Sequence, residues 1–186
     1  ELQVSGANVL FAYHGLSPVN GLLNCLAIYS YNPNHPELPK CLAGMEAWKW
    51  QDEAEGIRYC GARSNSWDSA FATLAMTELP ASAQVLVSSS LQRAYQHLCD
   101  LQMQQELPDY QAEQREPIVG GWCFSDGVHR WPVSDCTAEA VCALLALHEP
   151  GRPIPDSAEL SDERFRQAAR FILRRQNEDG GFGSYE

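Results

Sequence analysis

An aspartate followed directly by a cysteine, Asp135-Cys136, stands at the foot of an apolar helical stretch, with tryptophans and a phenylalanine nearby in the chain. A carboxylic acid in such a place can act as a proton donor, and a neighbouring thiol can tune it through a hydrogen bond. The plainer reading is a helix cap, because Asp is a preferred N-cap residue and helix amides favour its ionised form. An acid here therefore needs burial or partner donors to stay protonated between turnovers, and Cys136 and the Trp-rich segment before it are candidates to supply them. Trp67, Trp122, Phe124 and Trp131 lie beside loops. They read either as core packing or as a wall of π faces around a cationic centre, each face adding about 0.5–2 kcal/mol. Such a wall stabilises positive charge without offering a nucleophile to trap it.

Other chemistries find little support. His14, His35, His97, His129 and His148 are scattered, with no HExxH and no second carboxylate at ligand spacing, so a metal is not expected. Gly180-Gly181-Phe182-Gly183 lacks the preceding strand and following helix of a phosphate loop. The 13 Lys and Arg against 24 Asp and Glu give a formal net charge of -11. Nucleic acid is excluded as a partner on that balance, since the one cation pair is Arg174-Arg175, and anionic lipid gains no electrostatic help. The seven cysteines, at 25, 41, 60, 99, 123, 136 and 142, form no close CxxC pair and mostly sit among apolar residues. They read as small hydrophobes of a reducing compartment rather than a disulfide framework or zinc site.

The elements that must position these residues are helical. Six stretches with periods near 3.6 are separated by Pro and Gly: Pro18 to Tyr31, Pro39 to about Trp50 with Gly44 interrupting, Asn65 to about Leu79, Ala83 to Leu101, Asp135 to His148, and Ser161 to Arg175. In the first, Val19, Leu22, Leu23, Leu26 and Ala27 share a stripe. In the third, Asn65 is placed to cap, with Asp68 three residues on. Val87, Leu91, Tyr95, Leu98 and Leu101 line one face of the fourth, Pro150-Gly151 follows the fifth, and WCFSDGVHRWPVSD between the fourth and fifth has the composition of a short hairpin. Helix, loop, helix and a Gly-rich aromatic turn occur twice, in GGWCF and GGFGS, which points to an internal repeat of helix pairs. The opening ELQVSGANVL has no initiator Met or basic leader and no run of 18 apolar residues exists, so the chain reads as an internal piece without a signal peptide or a bilayer span.

WPVSDCTAEA, residues 131 to 140, resembles the signature of oxidosqualene cyclases, a family that includes lanosterol and cycloartenol synthases. GGWCFS before it, SNSWDSAFA at 64 to 72, SPVNGLLNCL at 17 to 26 and RRQNEDGGFGSYE at the end are similar to further stretches of that family, so the resemblance covers nearly all of 1–186. It implies an all-α fold, part of an (α/α) barrel enclosing an apolar cavity, in an enzyme held on one leaflet of an internal membrane. That membrane is the endoplasmic reticulum or lipid droplet in a eukaryote and the cytoplasmic membrane face in a bacterium. By the same resemblance Asp135 matches the acid that protonates the epoxide of 2,3-oxidosqualene, and Cys136 matches the neighbour that hydrogen-bonds and tunes it. Trp67, Phe124 and Trp131 match substrate-lining aromatics, while Thr137 and Glu139 organise the helix start. No cofactor is implied, because the isomerisation is redox-neutral.

Squalene-hopene cyclases, which resemble this family, carry an Asp-x-Asp-Asp pattern where this chain has Val133-Ser134-Asp135-Cys136. Protonating an unactivated alkene demands a stronger acid than opening a strained epoxide, so a single Asp beside Cys favours the epoxide. Gly127-Val128-His129-Arg130 and Trp122-Cys123 depart from the family's usual residues and leave the acid in place. The competing readings are a squalene-hopene-type class II cyclase and a noncatalytic helical-repeat binding domain. The latter would place Asp135 on an exposed cap. Prenyltransferase subunits share helical barrels but need a zinc site that is not found. The 186 residues alone are expected to be inactive.

Overall fold

Ser17 opens the first helix: its Oγ accepts from the Asn20 amide at 3.3 Å, and Pro18 follows at a position that has no amide hydrogen to leave unpaired. The computed structural model describes residues 13–15, 17–112, 114–127, 130–149, 151–152 and 160–185. Val128, His129, Pro150 and the opening ELQVSGANVL, all named above, lie outside them. The chain divides into two compact units, Glu1–Arg63 and Ser64–Glu186.

The first unit holds α1 (Pro18–Tyr31), α2 (Leu38–Gly44), a 3-10 turn (Met45–Trp48) and an antiparallel hairpin of β1 (Lys49–Asp52) and β2 (Gly56–Tyr59). Its core is Cys25, Ile28, Leu38, Cys41, Met45 and Trp48. The apolar stripe expected on α1 is the exposed face, with Val19, Leu22, Leu23 and Leu26 all outside; Gly21, Cys25 and Ile28 are the buried face. Close approach decides this. A Cβ on Gly21 would stand 2.6 Å from Met45 Sδ and 2.8 Å from the His14 carbonyl, so only the small-residue face can press against its neighbours. The expected second helix also ends early. Lys49 turns extended and pairs with Tyr59, as Trp50 pairs with Arg58. Asp52 Oδ1 accepts from the amides of Ala54 and Glu55, and Gly56 at φ +75° completes a turn that a helix period cannot contain.

The second unit holds α3 (Asn65–Thr77), α4 (Ala81–Leu101), β3 (Trp122–Cys123), β4 (Pro132–Val133), α5 (Ser134–Leu147) and α6 (Asp162–Leu173). The expected hairpin is β3 with β4, pairing Trp122 with Val133 and Cys123 with Pro132. Helix α5 packs against each of the other three helices, because its Ala140 and Ala143 let them come close and its Leu144 and Leu147 fill the space between. Leu91, Tyr95 and Leu98 of α4 face the same core, as their spacing predicts. Ser64, not Asn65, stands at the cap of α3, and its hydroxyl bonds Asp68 at 2.5 Å instead of closing on a helix amide. The described chain is thus mostly helical with two small hairpins, and no sheet closes into a barrel.

The two Gly-rich aromatic turns differ in burial. Trp122 is fully buried, whereas Phe182 is exposed. Gly120, at φ +96°, lies against α6 so tightly that a Cβ would meet the Gln167 carbonyl group. Gly151, at φ +88°, has nothing among the described residues within 4 Å of that position. Both carry the cost of an alanine in left-handed backbone, and only the first adds a clash. Gly120→Ala is therefore expected to destabilise the protein by about 1–3 kcal/mol more than Gly151→Ala, read as the larger fall in melting temperature.

Candidate active site

The start of α5 is built by one buried hydroxyl. Thr137 Oγ1 donates to the Val133 carbonyl at 2.6 Å and accepts from the Trp122 amide at 2.9 Å, tying β3 to the strand-helix junction. Ser134 is pinned from the other side, its amide on the Ser184 carbonyl at 3.0 Å and its hydroxyl on Gly183 at 2.7 Å. Val133, extended at φ -125°, takes the cap position. Asp135 is accordingly the second residue of the helix and not its cap. Its Oδ1 accepts from the Cys136 amide at 2.7 Å, and the side chain is exposed within these residues.

Cys136 follows Asp135 in the chain, and its thiol is buried. Burial pushes that thiol far up from its ordinary range, with the charge and hydrogen bond of Asp135 adding to the effect. It therefore stays a protonated donor. Cys123 is also buried and is pushed up to about 12 by burial, with the Trp131 main chain acting in the opposite direction. Tyr185 completes this group. Desolvation raises its phenol first, and the neighbouring Cys136, Asp135 and Cys123 raise it further. All seven cysteines are free thiols, five of them buried.

A second cluster grows from the residue after Cys123. The first-turn amides of Ser66 and Trp67 in α3 donate to the carbonyls of Ser125 and Phe124, at 3.2 and 3.3 Å. That docking sets the Trp67 and Phe124 rings 6.3 Å apart, and Phe71 packs edge-on to Trp67 at 4.7 Å. Trp67 and Phe124 are half-buried and Phe71 is exposed. The patch thus presents ring surface outward. The acid group and the aromatic group share one support, since Cys123 and Phe124 are consecutive.

The remaining aromatics separate. Trp122 is core, its indole donating to the Leu98 carbonyl at 2.7 Å. Trp131 keeps 42% of its surface exposed, with the Arg115 guanidinium 3.8 Å from its ring centre. Two members were missed by sequence reasoning. Phe71 had a readable signal, its i,i+4 spacing from Trp67. Tyr185 had none, because only the fold returns the last turn to the start of α5. Among the described residues no three His, Cys, Asp or Glu side chains group as metal ligands, and no helix is long and apolar enough to cross a membrane.

Residues 63–186 match the family model of the squalene-hopene cyclase C-terminal domain. The chain is 32% identical to lanosterol synthase of Homo sapiens, over 92% of its own length and 23% of that protein's. It is 30% identical to cycloartenol synthase of Dictyostelium discoideum, over 94% of the chain and 24% of the relative. Alpha-onocerin synthase of Lycopodium clavatum is 31% identical, over 94% and 22%. The chain thus spans about a quarter of the length of the curated relatives it matches. On the family model and these identities together, the chain belongs to the triterpene cyclase family of lanosterol, cycloartenol and squalene-hopene cyclases.

Proposed function

We propose that this chain carries the proton-donating part of an oxidosqualene cyclase, within a larger (α/α)-barrel enzyme that converts 2,3-oxidosqualene to a polycyclic triterpene. The observation that carries the reading is the Asp135–Cys136 pair at the start of α5, a carboxyl group whose Oδ1 accepts from the Cys136 amide beside a thiol that burial keeps protonated. Asp135 gives its proton to the epoxide oxygen as the carbon–oxygen bond breaks, and the neighbouring alkene closes on the carbon left electron-poor. The product keeps the oxygen as a hydroxyl, and loss of a proton at the far end of the cascade balances the one supplied. The Cys136 thiol, kept protonated by burial, is assigned the hydrogen bond to the carboxylate left behind.

Trp67, Phe124 and the adjoining Phe71 offer π faces to the cations that follow, each worth about 0.5–2 kcal/mol. Trp131, with Arg115 on one face, has only its other face for substrate. Tyr185 adds an aromatic ring on the turn whose Ser184 carbonyl accepts from the Ser134 amide. A substrate acid must be shielded from water to act on a hydrocarbon, and Asp135 is exposed within these residues. The shielding is assigned to the rest of the parent enzyme, as is attachment to one leaflet of an internal membrane. Val133 rather than a second acid precedes Ser134, which favours the strained epoxide over squalene itself.

Incubating the full-length parent protein with 2,3-oxidosqualene is expected to yield cyclised triterpene, and a folded Asp135→Asn variant to yield essentially none. Cyclisation that survives the substitution would leave Asp135 a structural residue of the helix start. Turnover of squalene but not its epoxide would move the protein to the squalene-hopene branch. The thiol is tested separately. In the native parent at pH 8, iodoacetamide should label exposed Cys142 well before Cys136, by peptide mass spectrometry; equal rates would remove the protonated donor.

A further inference from the structure

The segment between α4 and β3 doubles back and is held along its length. Met103 exchanges main-chain hydrogen bonds with Gly120 and Gly121, and the Glu106 carboxylate accepts from the amides of Ile118 and Val119. Arg130, just before β4, reaches across to this segment and donates to the carbonyls of Gln105 and Glu106, both at 2.8 Å. Its own backbone is left-handed at φ +51°, a conformation that a non-glycine residue keeps only when its surroundings hold it there.

Arg115 supplies the return contact. Its guanidinium carbon lies 3.8 Å from the centre of the Trp131 ring, and its Nη2 donates to the Arg130 carbonyl at 3.2 Å. One side chain thus grips both a ring and the peptide that precedes it. From there little slack remains before the acid. Pro132 and Val133 pair with Cys123 and Trp122, and Val133 is tied to Thr137 inside α5. A planar guanidinium suits this double task, since it stacks and donates at once. The same charge leaves Trp131 a poorer partner for a second cation than Trp67 or Phe124, so its ring serves better as a strut.

We propose that Arg115 is a positioning residue for proton transfer: by clamping Trp131 and the Arg130 peptide, it fixes the run into α5 and the direction in which Asp135 presents its proton. The inference rests on the cyclase reading above.

The test compares Arg115→Ala, Arg115→Lys, Trp131→Leu and the Arg115→Ala/Trp131→Leu double variant in the full-length parent, with melting temperature measured for each. Arg115→Ala is expected to lower kcat about tenfold while KM stays within about twofold, because a small misplacement of a reacting group costs rate rather than binding. Arg115→Lys should recover part of the loss, keeping the cation over the ring without the fork. The double variant should be no worse than Trp131→Leu alone, since Arg115 acts through that ring. Unchanged kcat in Arg115→Ala, a loss explained by the unfolded fraction, or additive losses in the double variant would each overturn the proposal. With the wild type active and Asp135→Asn inactive, such a result sinks this inference alone. A folded wild type that makes no cyclised product sinks the cyclase reading, and this inference with it.

Discussion

Thr137 holds the strand and the helix of the site in one register through a single hydroxyl, which donates to Val133 and accepts from Trp122 while fully buried. Burial removes any competing water, so leaving either partner unmade costs about 1–3 kcal/mol. The Trp122 amide fixes where β3 lies, which fixes where Cys123 and Phe124 project. The Val133 carbonyl fixes where α5 begins, which places Asp135 and Cys136. The acid pair and the aromatic patch depend on this junction more directly than on the helix packing behind them. Helix packing supplies a rigid seat, in which Ala140 and Ala143 of α5 admit the neighbouring helices at close range.

The electrostatics of the site follow from the same arrangement. In the first turn of α5 the Cys136 amide donates to Asp135 Oδ1. The thiol beside it is dry and stays a donor. Two buried thiols and a phenol act electrostatically with the one carboxyl group of Asp135. Arg115 and Arg130 act on the Cys123 side and are engaged with Trp131 and with main-chain carbonyls.

Helix positions were legible because apolar spacing and Pro or Gly stops act locally. α4 shows it best, with Leu91, Tyr95 and Leu98 in the core as their period requires. The short hairpin around Trp122 to Val133 was readable from its aromatic, turn-rich composition. What failed to show depended on contacts between distant residues. The stripe on α1 pointed outward because Gly21 permits a closer approach than the leucines do. The β1–β2 hairpin was hidden by a helix pattern running on to Trp50, although the Asp52 turn ends it. In the site, Asp135 and Cys136 could be named as neighbours in the chain. Tyr185 and the stacking of Arg115 on Trp131 could not, since only the folded loops bring them there.

Ser134 takes its partners from residues 183 and 184, which lie 49 and more positions further along the chain. In time rather than space, this means the start of α5 is synthesised well before the carbonyls that complete it. At 5–20 residues per second, the interval is roughly 2–10 s, long compared with the formation of an isolated helix or hairpin. Helix α5 can form early on its own propensity. Its first turn, and the carboxyl group it carries, settle only when the turn at Gly183 and Ser184 has arrived.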